Sequence, residues 1–445
     1  MGRLRVIPAL ALAIAGIGLL LSPTRTLAFT GFGPMTADAT FGASMVFSVD
    51  LLGGAPDQLE FVARFGDDDA LFVAPVTPIG DHATFAWDTS ADFVVPNTPV
   101  TYRWRAIVDG ELVESAEAQL LYDDDRPGLD WQEREMGQAT VHWYGDAEDA
   151  ATRFGELSAD GAARAEVLLG TDLAAPIDIF VYAGRDEFFG ALGPGAREWT
   201  GAAAYPDLRT VFMWLGGGDQ AYLETAIVHE VTHVVFHDAT DNPFHEPAQW
   251  LNEGLATWAE TSDADASRAI VEFEASGGGL LAFEGITQAF PISDRGAALA
   301  YSQGTVMVDQ IVAEHGEAAI AAIAAAYRDG ATDAEALAAG TGVDATQLYD
   351  DFYAAFGTDA PQPVAPAPLD PSDVALPGGG LPSPEPGSAG GDGQERPDSN
   401  PAQRDDASSG WLVAAIALVL AAGVGFVLLA RRSNAAVRRP PERDA

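Results

Sequence analysis

Leu223-Glu224-Thr225-Ala226-Ile227-Val228-His229-Glu230-Val231-Thr232-His233-Val234-Val235-Phe236-His237 is the stretch on which the reading of this chain turns. Ile227, Val228, Val231, Val234 and Val235 predict a helix buried over most of its surface. On such a helix His229 and His233, four positions apart, stand on one face about one turn from each other. Both imidazoles can therefore reach the same cation at about 2.1 Å. Glu230, beside the first histidine, is then aimed at the water in the metal's open position. His237 continues the same face but sits about 6 Å further along the axis by helix rise, too far to close round the same ion. It reads as a partly exposed histidine beside the site, and His245 as a solvated loop histidine.

A third ligand is offered by Trp250-Leu251-Asn252-Glu253-Gly254-Leu255-Ala256-Thr257-Trp258-Ala259-Glu260. Pro247 suits the first turn of this helix, and Glu253 falls twenty positions after His233, enough for a connecting loop and an antiparallel return. The chain contains no cysteine, which excludes disulfides and thiolate ligands and leaves histidines and carboxylates. Two histidines, one glutamate and a water make a recognised zinc coordination set.

HEVTHVVF followed by WLNEGLATWAE resembles the gluzincin clan, specifically the peptidase MA-like family of exported prokaryotic proteins. The resemblance runs from about Trp131 to Phe356. It implies an α+β thermolysin-like metallopeptidase domain with His229, His233 and Glu253 holding one Zn2+ ion and Glu230 as catalytic base. It also makes Tyr301, in the later Ala300-Tyr301-Ser302-Gln303 helix start, a candidate for stabilising the oxyanion, the alternative being a tyrosine that packs at a helix start. Two departures stand out. The Gly-x-Met-x-Asn element that holds a substrate's free amine in gluzincin aminopeptidases is not found upstream of His229. Thr257 stands four positions after Glu253 in place of the aspartate that orients a histidine ligand, leaving Glu260 or Asp241 for that task.

Around this centre the chain is multidomain. From Phe29 to Asp125 short runs alternate apolar and polar, as in Tyr102, Trp104, Ala106 and Val108 against Arg103, Arg105 and Ile107. Asp109-Gly110 is a two-residue hairpin turn before a strand over Glu111 to Leu121. The expectation is an antiparallel β-sandwich of immunoglobulin or fibronectin type. Asp146 to Leu169 has helical spacing, Pro176 to Tyr182 and Arg209 to Leu215 read as strands, and Ala297 to Tyr327 and Asp333 to Phe356 as helices. The triplets Asp67-Asp68-Asp69 and Asp123-Asp124-Asp125 lack EF-hand spacing and read as solvated turns.

The ends set the topology. Val6 to Leu21 behind Arg3 and Arg5, followed by Thr26-Leu27-Ala28, reads as a secretory signal spanning 1–28. Residues 358–410, rich in Pro, Gly, Ser and Asp, read as a disordered stalk. Trp411 to Ala430 is uncharged and long enough for a transmembrane helix. Arg431, Arg432, Arg438 and Arg439 place the 431–445 tail in the cytoplasm and the remainder outside, a single-pass membrane topology. The formal charge of −43, with every basic residue an arginine, excludes nucleic acid as a natural partner. The expected function is zinc-dependent hydrolysis of a protein or peptide substrate at the cell surface. The alternative is a surface binding or adhesion protein with a structural zinc site.

Overall fold

The computed structural model describes residues 28–66, 70–194, 196, 201–261 and 264–361. The signal up to residue 27, the transmembrane segment, most of the stalk and Asp67-Asp68-Asp69 lie outside the described residues. Among the described residues no helix is long and apolar enough to cross a membrane.

Alternation builds the N-terminal half. Strands β1 (Gly31–Thr40), β2 (Ser44–Leu52) and β5 (His82–Asp88) form one antiparallel sheet in the order β1-β2-β5. Strands β3 (Gln58–Phe65), β4 (Phe72–Pro75), β6 (Thr98–Val108) and β7 (Glu111–Glu114) form another in the order β4-β3-β6-β7, with β8 (Ala118–Tyr122) also on β6. Met45, Phe47, Val49, Phe61, Tyr102 and Trp104 point inward and bury a shared core, with the Phe47 and Phe61 rings 4.7 Å apart. Asp109 and Gly110 both take positive φ, 52° and 82°, which is what a two-residue hairpin turn matched to strand twist demands. The expected strand over Glu111 to Leu121 is in fact two. The Ser115 hydroxyl accepts the Trp104 N–H and interrupts the ladder, after which β8 resumes pairing further along β6.

The second half is a mixed sheet covered by helices. Its order is β12-β13-β11-β10-β9, from β9 (Gln132–Met136), β10 (Ala139–Trp143), β11 (Ile177–Tyr182), β12 (Ala202–Tyr205) and β13 (Thr210–Trp214). The central pairs β10–β11 and β11–β13 are parallel, and the edges β9 and β12 are antiparallel. Helix α1 (Glu148–Leu169) makes the crossover from β10 to β11, and α2 (Arg185–Leu192) follows β11. Then come α3 (Gln220–Thr240), α4 (Gln249–Thr261), α5 (Asp265–Ser276), α6 (Asp294–His315), α7 (Glu317–Arg328), α8 (Asp333–Thr341) and α9 (Ala345–Ala355). The alanine-rich stretch read as one helix divides at Gly316, whose φ of 79° lies outside the right-handed helical region.

The two halves meet beside Trp131, whose indole N–H donates to the Asp124 carbonyl at 3.0 Å and whose ring stands edge-on to Tyr144, Phe180 and Tyr182 of the second half. Asp124 is buried there, ion-paired to Arg126 and accepting a 3.0 Å hydrogen bond from the Tyr182 hydroxyl. The second acidic triplet is therefore not a solvated turn: its central member is a buried, compensated charge joining the halves. Asn97 Nδ2 adds a 2.8 Å bond to Thr210 Oγ1.

Helices α4 and α6 cross at Gly254 and Gly304, where a Cβ on either glycine would fall on backbone atoms of the other helix. Only a side-chain-free crossing permits this approach. Gly304→Ala should therefore lower stability by about 1–3 kcal/mol through overpacking, measured as a shift in the urea unfolding midpoint. An unshifted midpoint would show that the crossing has slack.

Candidate active site

Asp219 caps α3, its Oδ1 accepting the Tyr222 N–H at 2.9 Å. Ile227, Val231, Val234 and Val235 then bury the helix on all sides, so His229 and His233 project into an interior formed by α4, α6 and β12. Their rings lie 4.7 Å apart at 83°. Glu253, on the antiparallel α4, brings Oε2 to 3.5 Å from His229 Nε2 and 3.4 Å from His233 Nε2. All three residues are buried.

These distances fit a tetrahedral ion. Ligand atoms about 2.0–2.1 Å from zinc at tetrahedral angles stand about 3.3 Å apart. His229 Nε2 and Glu253 Oε2 are buried with no hydrogen-bond partner, as atoms reserved for a ligand would be. Electrostatics agree. Burial alone would push the Glu253 carboxyl up, yet His233 and His229 hold it well below the usual carboxylate range. Burial alone would push His229 down, yet the Glu253 and Glu260 carboxylates carry it well above the usual imidazole value. The pocket is arranged to hold positive charge, which a divalent cation would supply.

Outer groups orient the rings. His229 Nδ1 lies 3.0 Å from Glu260 Oε1, and since a carboxylate can only accept, Nδ1 carries the proton and Nε2 keeps its lone pair. His233 Nδ1 lies 2.8 Å from Asn252 Oδ1 and is held in the same sense. Of the two orienting residues expected, Glu260 takes the role, while Asp241 caps the C-terminus of α3. Asn252 was not anticipated, although its place beside Glu253 in Trp-Leu-Asn-Glu-Gly was a usable signal.

Glu230 is buried, with Oε2 accepting the Ala204 N–H at 2.8 Å and Oε1 unpartnered. Burial, offset in part by His229 and His233, pushes its carboxyl up to about 7. The β12 contact had no sequence signal, since Ala202-Ala203-Ala204 carries no side-chain chemistry. Tyr301 is fully buried on α6, its ring 6.4 Å from that of His229, its hydroxyl unpartnered and under the influence of Glu253. His237 lies outside the cluster, its Nε2 3.2 Å from Asp207 Oδ1. His245 is not a solvated loop residue: Nε2 donates to the Ala331 carbonyl and the ring packs near Tyr327.

This arrangement is a candidate site for one zinc ion, offered by two histidines and one glutamate, His229, His233 and Glu253, with Glu230 beside it. Residues 158–357 match the family model for the Peptidase MA superfamily. No curated protein matches the chain. Among solved structures, the M1 zinc metallopeptidase from Deinococcus radiodurans is similar at 13% identity over 78% of this chain and 97% of its own, with TM-score 0.32. Native yeast LTA4 hydrolase is similar at 12% identity over 76% of this chain and 66% of its own, with TM-score 0.32. An aminopeptidase N family protein from Idiomarina loihiensis is similar at 8% identity over 74% and 72%, with TM-score 0.31.

Asn252→Ala and Glu260→Gln should each weaken zinc binding by about 10–100-fold, measured by competition with a chromogenic chelator. His237→Ala should leave zinc affinity unchanged. Loss of zinc in the last variant would show that the ligand set is misassigned.

Proposed function

We propose that the chain hydrolyses peptide bonds of protein or peptide substrates, with His229, His233 and Glu253 as zinc ligands and Glu230 as general base. The observation that carries this is the convergence of four buried polar atoms without partners: His229 Nε2, Glu253 Oε2, Glu230 Oε1 and the Tyr301 hydroxyl. Leaving so many buried groups unpaired is costly unless ligands complete them.

When bound, zinc supplies Lewis-acid chemistry, acidifying water and polarising a carbonyl. Glu230 moves the proton. Ala204 N–H pins Oε2 and leaves Oε1 free to take a proton from the attacking water and return it to the departing amine. A carboxyl raised to about 7 by burial suits both directions of that transfer. Tyr301, whose hydroxyl burial and Glu253 hold firmly protonated, donates to the carbonyl oxygen as negative charge develops.

The same proposal places this activity outside the cytoplasmic membrane. The signal-like Val6 to Leu21 segment, the uncharged Trp411 to Ala430 segment and the arginines after it support a single-pass anchor with the catalytic domain on the outer side. The stalk from Thr358 onward would then set the reach of the site from the surface.

Glu230→Gln should keep one zinc per chain and lose about 10²–10⁴-fold in cleavage of a fluorescent casein. Tyr301→Phe should also keep zinc while losing about 10²–10³-fold. Near-parental turnover by Glu230→Gln would sink the assignment of the base, and unchanged turnover by Tyr301→Phe would return that residue to a packing role.

A further inference from the structure

Tyr222 belongs to the site's surroundings but has no part in the chemistry above. It lies on α3 seven residues before His229, which puts it on nearly the same helix face, about 10 Å towards the N-terminus. It is nine-tenths buried, and its hydroxyl has no hydrogen-bond partner. Burial and the Glu230 and Glu260 carboxylates keep that hydroxyl protonated, so it is available as a donor. Glu230 and Glu260 are themselves members of the site, the first as base and the second as partner of His229.

Glycine backbone packs closely round the ring. A Cβ on Gly218 would run into the Tyr222 ring, and one on Gly201 would stand 3.3 Å from its Cε1. A Cβ on Gly217 would fall 2.5 Å from the Gly201 Cα. Gly201 leads directly into β12, the edge strand whose Ala204 N–H holds Glu230. A phenylalanine would fill the same space without a desolvated hydroxyl, so the oxygen itself calls for a ligand. Two carboxylates nearby disfavour an anionic occupant, and a protonated phenol selects an acceptor. A neutral amide carbonyl meets both requirements.

Resting on the peptidase reading, we propose that Tyr222 is a substrate-binding residue whose hydroxyl donates a hydrogen bond to a main-chain carbonyl of the bound peptide, beyond the carbonyl that is cleaved. The experiment uses the full chain loaded with zinc. A fluorescein-labelled mixed peptide library is titrated against Glu230→Gln and against Glu230→Gln/Tyr222→Phe by anisotropy, and casein turnover is compared between the parent and Tyr222→Phe. The expected result is a roughly tenfold weaker Kd and a roughly tenfold lower kcat/KM, with zinc content and thermal midpoint unchanged. Equal Kd values for the two binding variants overturn the proposal and leave the peptidase reading intact. A parent that neither binds nor cleaves peptide overturns both.

Discussion

A carboxylate facing two imidazoles inside a protein needs a positive charge among them, and the catalytic half of this chain is organised round that need. His229, His233 and Glu253 are removed from solvent, and no neighbouring lysine or arginine is within ion-pairing distance of Glu253 among the described residues. Glu260 and Asn252 turn the ring lone pairs inward, so the arrangement is already committed to a cation before one arrives. Burial, which would by itself penalise such a cluster, would strengthen its attraction for a cation, because the surroundings screen little.

Three helices have to agree on where that point lies. Helix α3 supplies two ligands from one turn and needs no tertiary help to bring them together. The Glu253 carboxylate depends on the return of α4, and Tyr301 depends on α6 crossing α4 at the Gly254–Gly304 contact. Gly254 follows Glu253 directly, so the residue that permits the close crossing and the residue that binds the ion share one turn. The short edge strand β12 completes the enclosure by fixing one oxygen of Glu230 and leaving the other free.

Much of this could be read in the chain. The His-Glu-x-x-His spacing is local, and a helix converts it into geometry without further information. Trp-Leu-Asn-Glu-Gly carried Glu253 because a second helix with a buried apolar face had to follow. What escaped was held by backbone or by polar edge sequence. Strand β9, Gln132–Met136, carries four polar residues before Met136 and shows no apolar alternation in its sequence. Strand β12 is three alanines and a tyrosine, identified as a strand by its pairing with β13 and not by composition. The burial of Asp124 was illegible for a related reason: an acidic triplet looks solvated until Arg126 and Tyr182 are known to meet its middle member.

That meeting also limits how the protein can be divided. Asp124 and Arg126 belong to the connection out of the β-sandwich, yet their partners, Tyr182 and the Glu187 carbonyl, come from the metallopeptidase sheet and α2. Trp131, packed against Tyr144 and Phe180, adds its indole N–H to the same Asp124, on the main-chain carbonyl. Cutting the chain at the apparent boundary would strand a phenol and an indole N–H that had both been bonded to Asp124. The second half is thus no cassette to be lifted out and grafted elsewhere without cost.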